Sequence, residues 1–390
     1  GKISYGTYLW HWPVVILLSE VVQPGVVART LLVVVLSTAL ATASYQMLER
    51  PVRSMRLRSL FRGPTVMVAL TASALVAILA VPPVLERDSR PALALSGSGV
   101  ATGTAKNATG PVPHVDFVAV AEDKGGDERH CKADDLEPCE VVAGNPGPTV
   151  TLAGDSHAQM LEPTMAALAR RHGFNLNVSI VSGCPWLRGV TKLSNTEGRR
   201  TTCASARDEL YDHVLEKSGT DVVLLAQLQR LPSDPDRLNL ARPPGDDRPV
   251  TTVRDLMVES TDATLSEIEA QGVRALVLES IWLPPPEMGN PLDCLASARR
   301  VEQCRVAVRP RSELMDSLYL AADARSDDIF TADLNPIMCP SAPVCDAMLG
   351  RIPVWRDSLH YSPGILESRS DQVWDAFLAT GAFEGLGPLT

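Results

Sequence analysis

Val150-Thr151-Leu152-Ala153-Gly154-Asp155-Ser156-His157-Ala158 passes from a short apolar run into a helical pattern within nine residues. The run up to Ala153 reads as a strand, and the glycine after it permits a tight turn. The turn opens directly into helical periodicity, and a helix start leaves backbone N–H groups free and carries the positive end of the helix dipole. The hydroxyl of Ser156 therefore stands where it can attack a carbonyl while its own amide helps to hold the oxyanion. Gly-Asp-Ser alone favours a simpler reading, in which Asp155 or Ser156 merely caps the helix.

Outward from this stretch, short apolar runs alternate with longer amphipathic ones. Strands are expected at Thr149–Ala153, Asn177–Val181, Asp221–Gln227, Arg274–Glu279 and Ile329–Asp333. Helices are expected at Ala158–His172, Thr202–Lys217, Thr252–Gln271, Pro310–Arg325 and Gly364–Thr380. Strand–helix alternation predicts a parallel sheet covered by helices, and such a sheet binds its ligand beyond the carboxyl ends of its strands, where Ser156 falls. Two Pro-rich insertions, Leu231–Pro249 and Trp282–Cys304, follow the third and fourth strands. They are either substrate walls or disulfide-stapled surface loops.

Arg356-Asp357-Ser358-Leu359-His360-Tyr361-Ser362-Pro363 precedes the last helix. An Asp three residues before a His can hold one ring nitrogen while the other faces the serine, which fixes the imidazole tautomer and stabilises the imidazolium formed during attack. Gly-Asp-Ser after the first strand together with Asp-x-x-His near the C-terminus resembles the SGNH (GDSL-like) esterases and acyltransferases. The resemblance implies a three-layer α/β domain with Ser156 as nucleophile and Asp357 and His360 completing the triad. It also implies an oxyanion hole built from the amides of Ser156 and of Gly183, in Ser182-Gly183-Cys184-Pro185. The family's third block normally supplies an Asn. Here Ala226-Gln227-Leu228-Gln229-Arg230 has none, leaving the amide of Gln227 or Gln229 as the candidate donor. Asp155 is expected to serve the helix start and His157 to lie on the rim.

The first 85 residues are of another kind. Ile3–Val22, Val26–Leu48 and Pro64–Leu85 are apolar runs of about 20 residues, the length that spans a hydrocarbon core, and they predict three transmembrane helices. The arginine-rich stretch from Glu49 to Arg62 between the second and third belongs in the cytoplasm by the positive-inside rule, which sends everything after about Glu86 outward. All eight cysteines lie in that outward part, as disulfides in an oxidising compartment would. Consecutive pairing, Cys131–Cys139, Cys184–Cys203, Cys294–Cys304 and Cys339–Cys345, is expected among the many connectivities that eight cysteines permit. Zinc is the rival use of these cysteines, but no C-x-x-C spacing supports a metal site.

Residues 86–148, rich in Ser, Gly, Ala, Thr and Pro, read as an extracytoplasmic linker to a domain over 149–390. Ile3-Ser4-Tyr5-Gly6-Thr7-Tyr8-Leu9-Trp10-His11-Trp12-Pro13 and Leu48-Glu49-Arg50-Pro51 resemble the end of the integral-membrane acyltransferase family 3, with His11 either an interfacial anchor or part of that domain's chemistry. The chain thus reads as a fragment of a longer multi-pass protein of the plasma membrane, its partners a lipid bilayer and a cell-envelope glycan. The resemblance implies O-acyl transfer, with acyl-CoA as the donor to the full-length membrane domain and no cofactor in the outer one. Two other outcomes stay open, an extracytoplasmic esterase or deacetylase and a glycan-binding ectodomain with a decayed site. The acidic outer portion, in a chain of formal net charge −10, shows no basic stripe for nucleic acid.

Overall fold

The computed structural model describes residues 10, 14, 26–44, 108–228, 240–250, 252–308 and 314–389. The chain divides into two units, residues 1–88 and 89–390. In the first, helix α1 (Val26–Ser44) covers most of the second expected membrane run and leaves Val34 and Val35 57% and 61% exposed. Among the described residues no helix is long and apolar enough to cross a membrane. The other two expected runs lie outside the described residues, apart from Trp10 and Val14.

The second unit is built on six strands: β1 (Glu140–Val142), β2 (Thr149–Gly154), β3 (Asn175–Ile180), β4 (Val222–Ala226), β5 (Arg274–Leu278) and β6 (Ile329–Ala332). Their order across the sheet is β1-β3-β2-β4-β5-β6. Strands β2 to β6 run parallel, as expected from strand–helix alternation, with Gly154 opposite both Ile180 and Ala226. The edge strand corrects the expectation of a purely parallel sheet, because β1 pairs antiparallel with β3. Three residues carry too little periodicity to announce a strand, and β1 comes from the stretch that composition assigns to the linker. Part of that stretch is packed: Val112, Val115, Phe117 and Val120 lie against a satellite cluster of Leu292, Leu295, Val301 and Met348.

Alternation along the strands supplies two apolar faces, and helices cover both. Val150, Leu152, Leu224 and Ala226 share one core with α2 (Ser156–His172), α6 (Pro363–Ser368) and α7 (Ser370–Ala379). Ala153, Val223, Leu225 and Val277 share the other with Leu210, Tyr211, Val214 and Leu215, which follow α3 (Glu197–Glu209), and with α4 (Val253–Ala270) and α5 (Met315–Asp323). Helix α3 continues through a π turn, Leu210–Val214, into Leu215–Lys217. The last expected helix is two, broken at Arg369, and the fourth begins at Met315. The four disulfides join consecutive cysteines, as expected.

The order of the strands places the site. From β2 the chain goes to β3 on one side, then crosses back to β4 on the other, so a crevice opens at the carboxyl end of β2 where the order reverses. The residue that follows that end is Asp155, and then Ser156.

Candidate active site

Gly154 ends β2 with φ +146°, a conformation that a side chain disfavours. Space forbids one as well, since a Cβ there would lie 1.8 Å from the Ala226 carbonyl oxygen of β4. The glycine thus allows two parallel strands to stay paired to the point where one turns sharply into a helix. Asp155 is the cap of α2, its Oδ1 accepting the His157 N–H at 2.9 Å. The same carboxylate accepts the Leu228 N–H at 3.1 and 2.9 Å, and the residue is only 1% exposed. Asp155 therefore ties the start of α2 to the chain leaving β4, more than a cap would do.

Ser156 is the first residue of α2, and its Oγ lies 2.7 Å from His360 Nε2. His360 Nδ1 lies 2.9 Å from each carboxylate oxygen of Asp357. The loop that carries the pair is closed on itself, with the Arg356 N–H donating to the His360 carbonyl at 3.1 Å and a bridge between Trp355 and Tyr361. This closure brings residues three apart side by side. A carboxylate at Nδ1 keeps the proton of the neutral ring there and turns the Nε2 lone pair toward the serine hydroxyl.

Burial pushes the Asp357 carboxyl up, but the hydrogen bond and charge of His360, the Leu359 N–H at 2.7 Å and the guanidinium of Arg356 outweigh it and hold the group below its ordinary value. The carboxylate is thus charged whenever His360 must accept a proton. Arg356, 3.4 Å from Asp357 Oδ2, is itself buried and pulled below the usual arginine value by that burial.

His157 departs from the expected rim position. It is 2% exposed, with its ring centroid 5.1 Å from that of His360, so it lies inside the site and backs the imidazole. Residues adjacent on a helix point about 100° apart, and this turn carries His157 inward. Gln227 also differs from its expected part. Strand alternation sends it to the face of Val223 and Leu225, where its Nε2 donates to the Tyr319 hydroxyl at 2.8 Å. Gln229 lies outside the described residues. Gly183 has φ +71°, and no hydrogen bond among the described residues engages its N–H. The amide of Ser156, in the first turn of α2, has no intrahelical acceptor.

Sequence reasoning missed Gln159, one turn beyond Ser156 and 5% exposed. It accepts from Ser182 Oγ at 3.2 Å and donates to the Gly126 carbonyl at 2.8 Å, joining α2 to the Gly183 loop. Its spacing of three from the serine was the available signal. Among the described residues no group of three or more His, Cys, Asp or Glu side chains is placed to hold a metal ion.

A serine, histidine and aspartate in hydrogen-bonded sequence at the switch point of a doubly wound sheet define an acyl-transferring or acyl-hydrolysing domain. The chain belongs to the family described as the SGNH domain fused to AT3 domains, whose model matches residues 122–366. A protein of Bacillus subtilis (strain 168) named as a candidate peptidoglycan O-acetyltransferase, YrhL, is 41% identical over 64 residues. That match takes in 16% of this chain and 10% of the length of that protein. Among solved structures, the lipopolysaccharide acetyltransferase periplasmic domain of Salmonella ser. Paratyphi A is 13% identical, with a TM-score of 0.39, over 59% of this chain and 85% of that one. A candidate acylhydrolase of Bacteroides fragilis NCTC 9343 is 11% identical, with a TM-score of 0.33, over 60% and 91%.

Proposed function

We propose that this chain is the acyl-delivering end of a cell-envelope glycan O-acyltransferase, with Ser156 as nucleophile. The observation that carries the proposal is the line from Asp357 through His360 to the Ser156 hydroxyl. In the first half-reaction His360 takes the hydroxyl proton as Ser156 Oγ attacks an acyl carbonyl. The resulting oxyanion is held by the amides of Ser156 and Gly183, and the leaving group departs with the proton from His360. In the second half-reaction His360 deprotonates a glycan hydroxyl, which attacks the acyl-serine and restores the free enzyme. Water in place of the hydroxyl would make the same steps a hydrolysis, so the identity of the reaction rests on which acceptor the crevice admits.

The acceptor class is proposed by analogy with the relatives, whose names refer to peptidoglycan and lipopolysaccharide. A place on the outer face of the plasma membrane suits both. Four disulfides suit an oxidising compartment. The exposed valines of α1 are side chains that a lipid bilayer or further membrane helices would cover. The donor would then be acyl-CoA on the cytoplasmic side, handled by membrane segments of the longer protein. The test is the ester content of cell-envelope glycans in cells that produce the full-length protein with Ser156 or with Ser156→Ala. Loss of O-acyl groups in the variant is expected, and unchanged ester content would overturn the proposal.

A further inference from the structure

Helix α3 holds the loop that carries Gly183 by one stripe of side chains, four residues apart. Arg199 Nη2 donates to the Ser182 carbonyl at 2.9 Å. Cys203 is bonded to Cys184. Arg207 Nη1 donates to the carbonyls of Pro185 at 3.4 Å and Val190 at 2.6 Å. The Tyr211 hydroxyl donates to the Trp186 carbonyl at 2.8 Å. These rungs meet the loop at Ser182, Cys184, Pro185 and Trp186, in chain order, and Arg207 reaches further along it to Val190. Residues four apart on an α-helix drift by about 40° a step, and the slower winding of the π turn at Leu210–Val214 works against that drift.

The rungs at Arg207 and Tyr211 are buried, and the Nε and Nη2 of Arg207 have no hydrogen-bond partner among the described residues. Burial accordingly pushes the Arg207 guanidinium down to about 10. A buried cation bonded to carbonyls, with the Asp208 charge nearby but no carboxylate hydrogen-bonded to it among the described residues, is a costly way to hold a loop, and it argues that the path of the loop matters.

The outermost rung is the one next to the chemistry. The Ser182–Gly183 peptide is trans and planar, so the Gly183 N–H points away from the Ser182 carbonyl. Whatever grips that carbonyl also aims the N–H, and a charged donor polarises the peptide and strengthens the N–H as a donor. Asn195, just ahead of α3, adds a weaker hold, donating to the Gly183 carbonyl at 3.4 Å. Arg199 is in turn oriented by Glu128, 2.6 Å away, and is only 35% exposed. We propose that Arg199 is a positioning residue for acyl transfer: it fixes the Ser182–Gly183 peptide so that the Gly183 N–H faces the oxyanion. The inference rests on the reading of Ser156 as nucleophile.

The test compares the full chain with Arg199→Ala, Arg199→Lys and, as a remote surface-arginine control, Arg325→Gln. The readouts are kcat and KM for p-nitrophenyl acetate, fluorophosphonate labelling of Ser156, and the thermal midpoint. Removing an oxyanion donor costs roughly 10²–10³ in rate, and mis-aiming one should cost at least ~10-fold. Arg199→Ala is expected to lose that much in kcat with KM and the thermal midpoint unchanged. Arg199→Lys, which can still donate to the Ser182 carbonyl, should recover part of it, and Arg325→Gln should match the parent. An unchanged kcat in Arg199→Ala, or a loss explained by a lowered midpoint, would overturn the positioning role alone if Ser156 of the parent is still labelled. Failure of the parent to label at Ser156 would overturn the nucleophile reading and this inference with it.

Discussion

Replacing Asp155 with alanine removes at least two different interactions from one buried point, and the sum of these two can be estimated. The cap bond to the His157 N–H at 2.9 Å is of a kind that contributes about 0.5–2 kcal/mol. The bonds to Leu228 leave, on removal, a donor at a residue only 7% exposed, and an orphaned buried N–H costs about 1–3 kcal/mol. Asp155→Ala should therefore destabilise the fold by roughly 1.5–5 kcal/mol, a large share of the 5–15 kcal/mol typical of a domain. Two further variants separate the terms. Asp155→Ser can cap α2 but is too short to reach Leu228, so it should recover about 1 kcal/mol. Asp155→Asn keeps one acceptor oxygen and should fall between serine and the parent. Urea unfolding followed by tryptophan fluorescence measures all four chains. An alanine variant within about 0.5 kcal/mol of the parent would refute the two-bond account, since surface changes commonly stay within that range. An Asn variant as stable as the parent would refute the need for a carboxylate, and equal losses for Asn and Ala would refute the partial rescue expected from one acceptor oxygen.

Asp357→Asn should leave the fold intact and slow Ser156 acylation by roughly 10³–10⁴, because an amide can present its N–H to His360 Nδ1 and favour the wrong tautomer; pre-steady-state release of p-nitrophenol reads this. The lowered Asp357 pKa also has a sign in stability. Its contribution is present above the ordinary carboxylate value and is lost as pH falls through the lowered one, so Asp357→Asn should flatten the acid limb of a stability–pH curve in that window. Glu162 behaves oppositely. Burial pushes its carboxyl up against the pull of Arg129, 3.0 Å away. Arg129→Met should cost about 3–5 kcal/mol near neutral pH, with the loss shrinking as the medium is acidified and Glu162 takes up a proton, as thermal melts over a pH series would show. Gly154→Ala should yield little folded protein, because the clash at 1.8 Å is with β4 backbone that is held by its ladder; circular dichroism of whatever is recovered decides it.

The parts of the fold that were legible share a strong local signal. All five parallel strands were marked by apolar runs bounded by turns, and Gly154 announced the bend after the first of them. The site was legible for a different reason. Asp357 and His360 sit close together in the chain, and Ser156 sits at a strand end, so three positions carried most of the geometry. What failed depends on side-chain direction or on sparse contacts. His157 and Gln227 are turned by helix phase and strand alternation in ways that motif spacing does not encode. Strand β1 has three residues and is recruited by an edge rather than by its own pattern. The apolar residues between Val112 and Val120 are scattered through a Gly/Pro-rich stretch, so composition hid their packing. Arg199 gave no signal until α3 was known to run beside the Gly183 loop.

The most direct test of the central claim is to treat the full chain with an activated acetyl ester or a fluorophosphonate and locate the adduct by peptide mass mapping. One adduct on Ser156 is predicted, absent in Ser156→Ala and formed far more slowly in His360→Ala, since the ring at 2.7 Å is what removes the hydroxyl proton. An adduct on another residue, or one that forms equally fast without His360, would contradict the account.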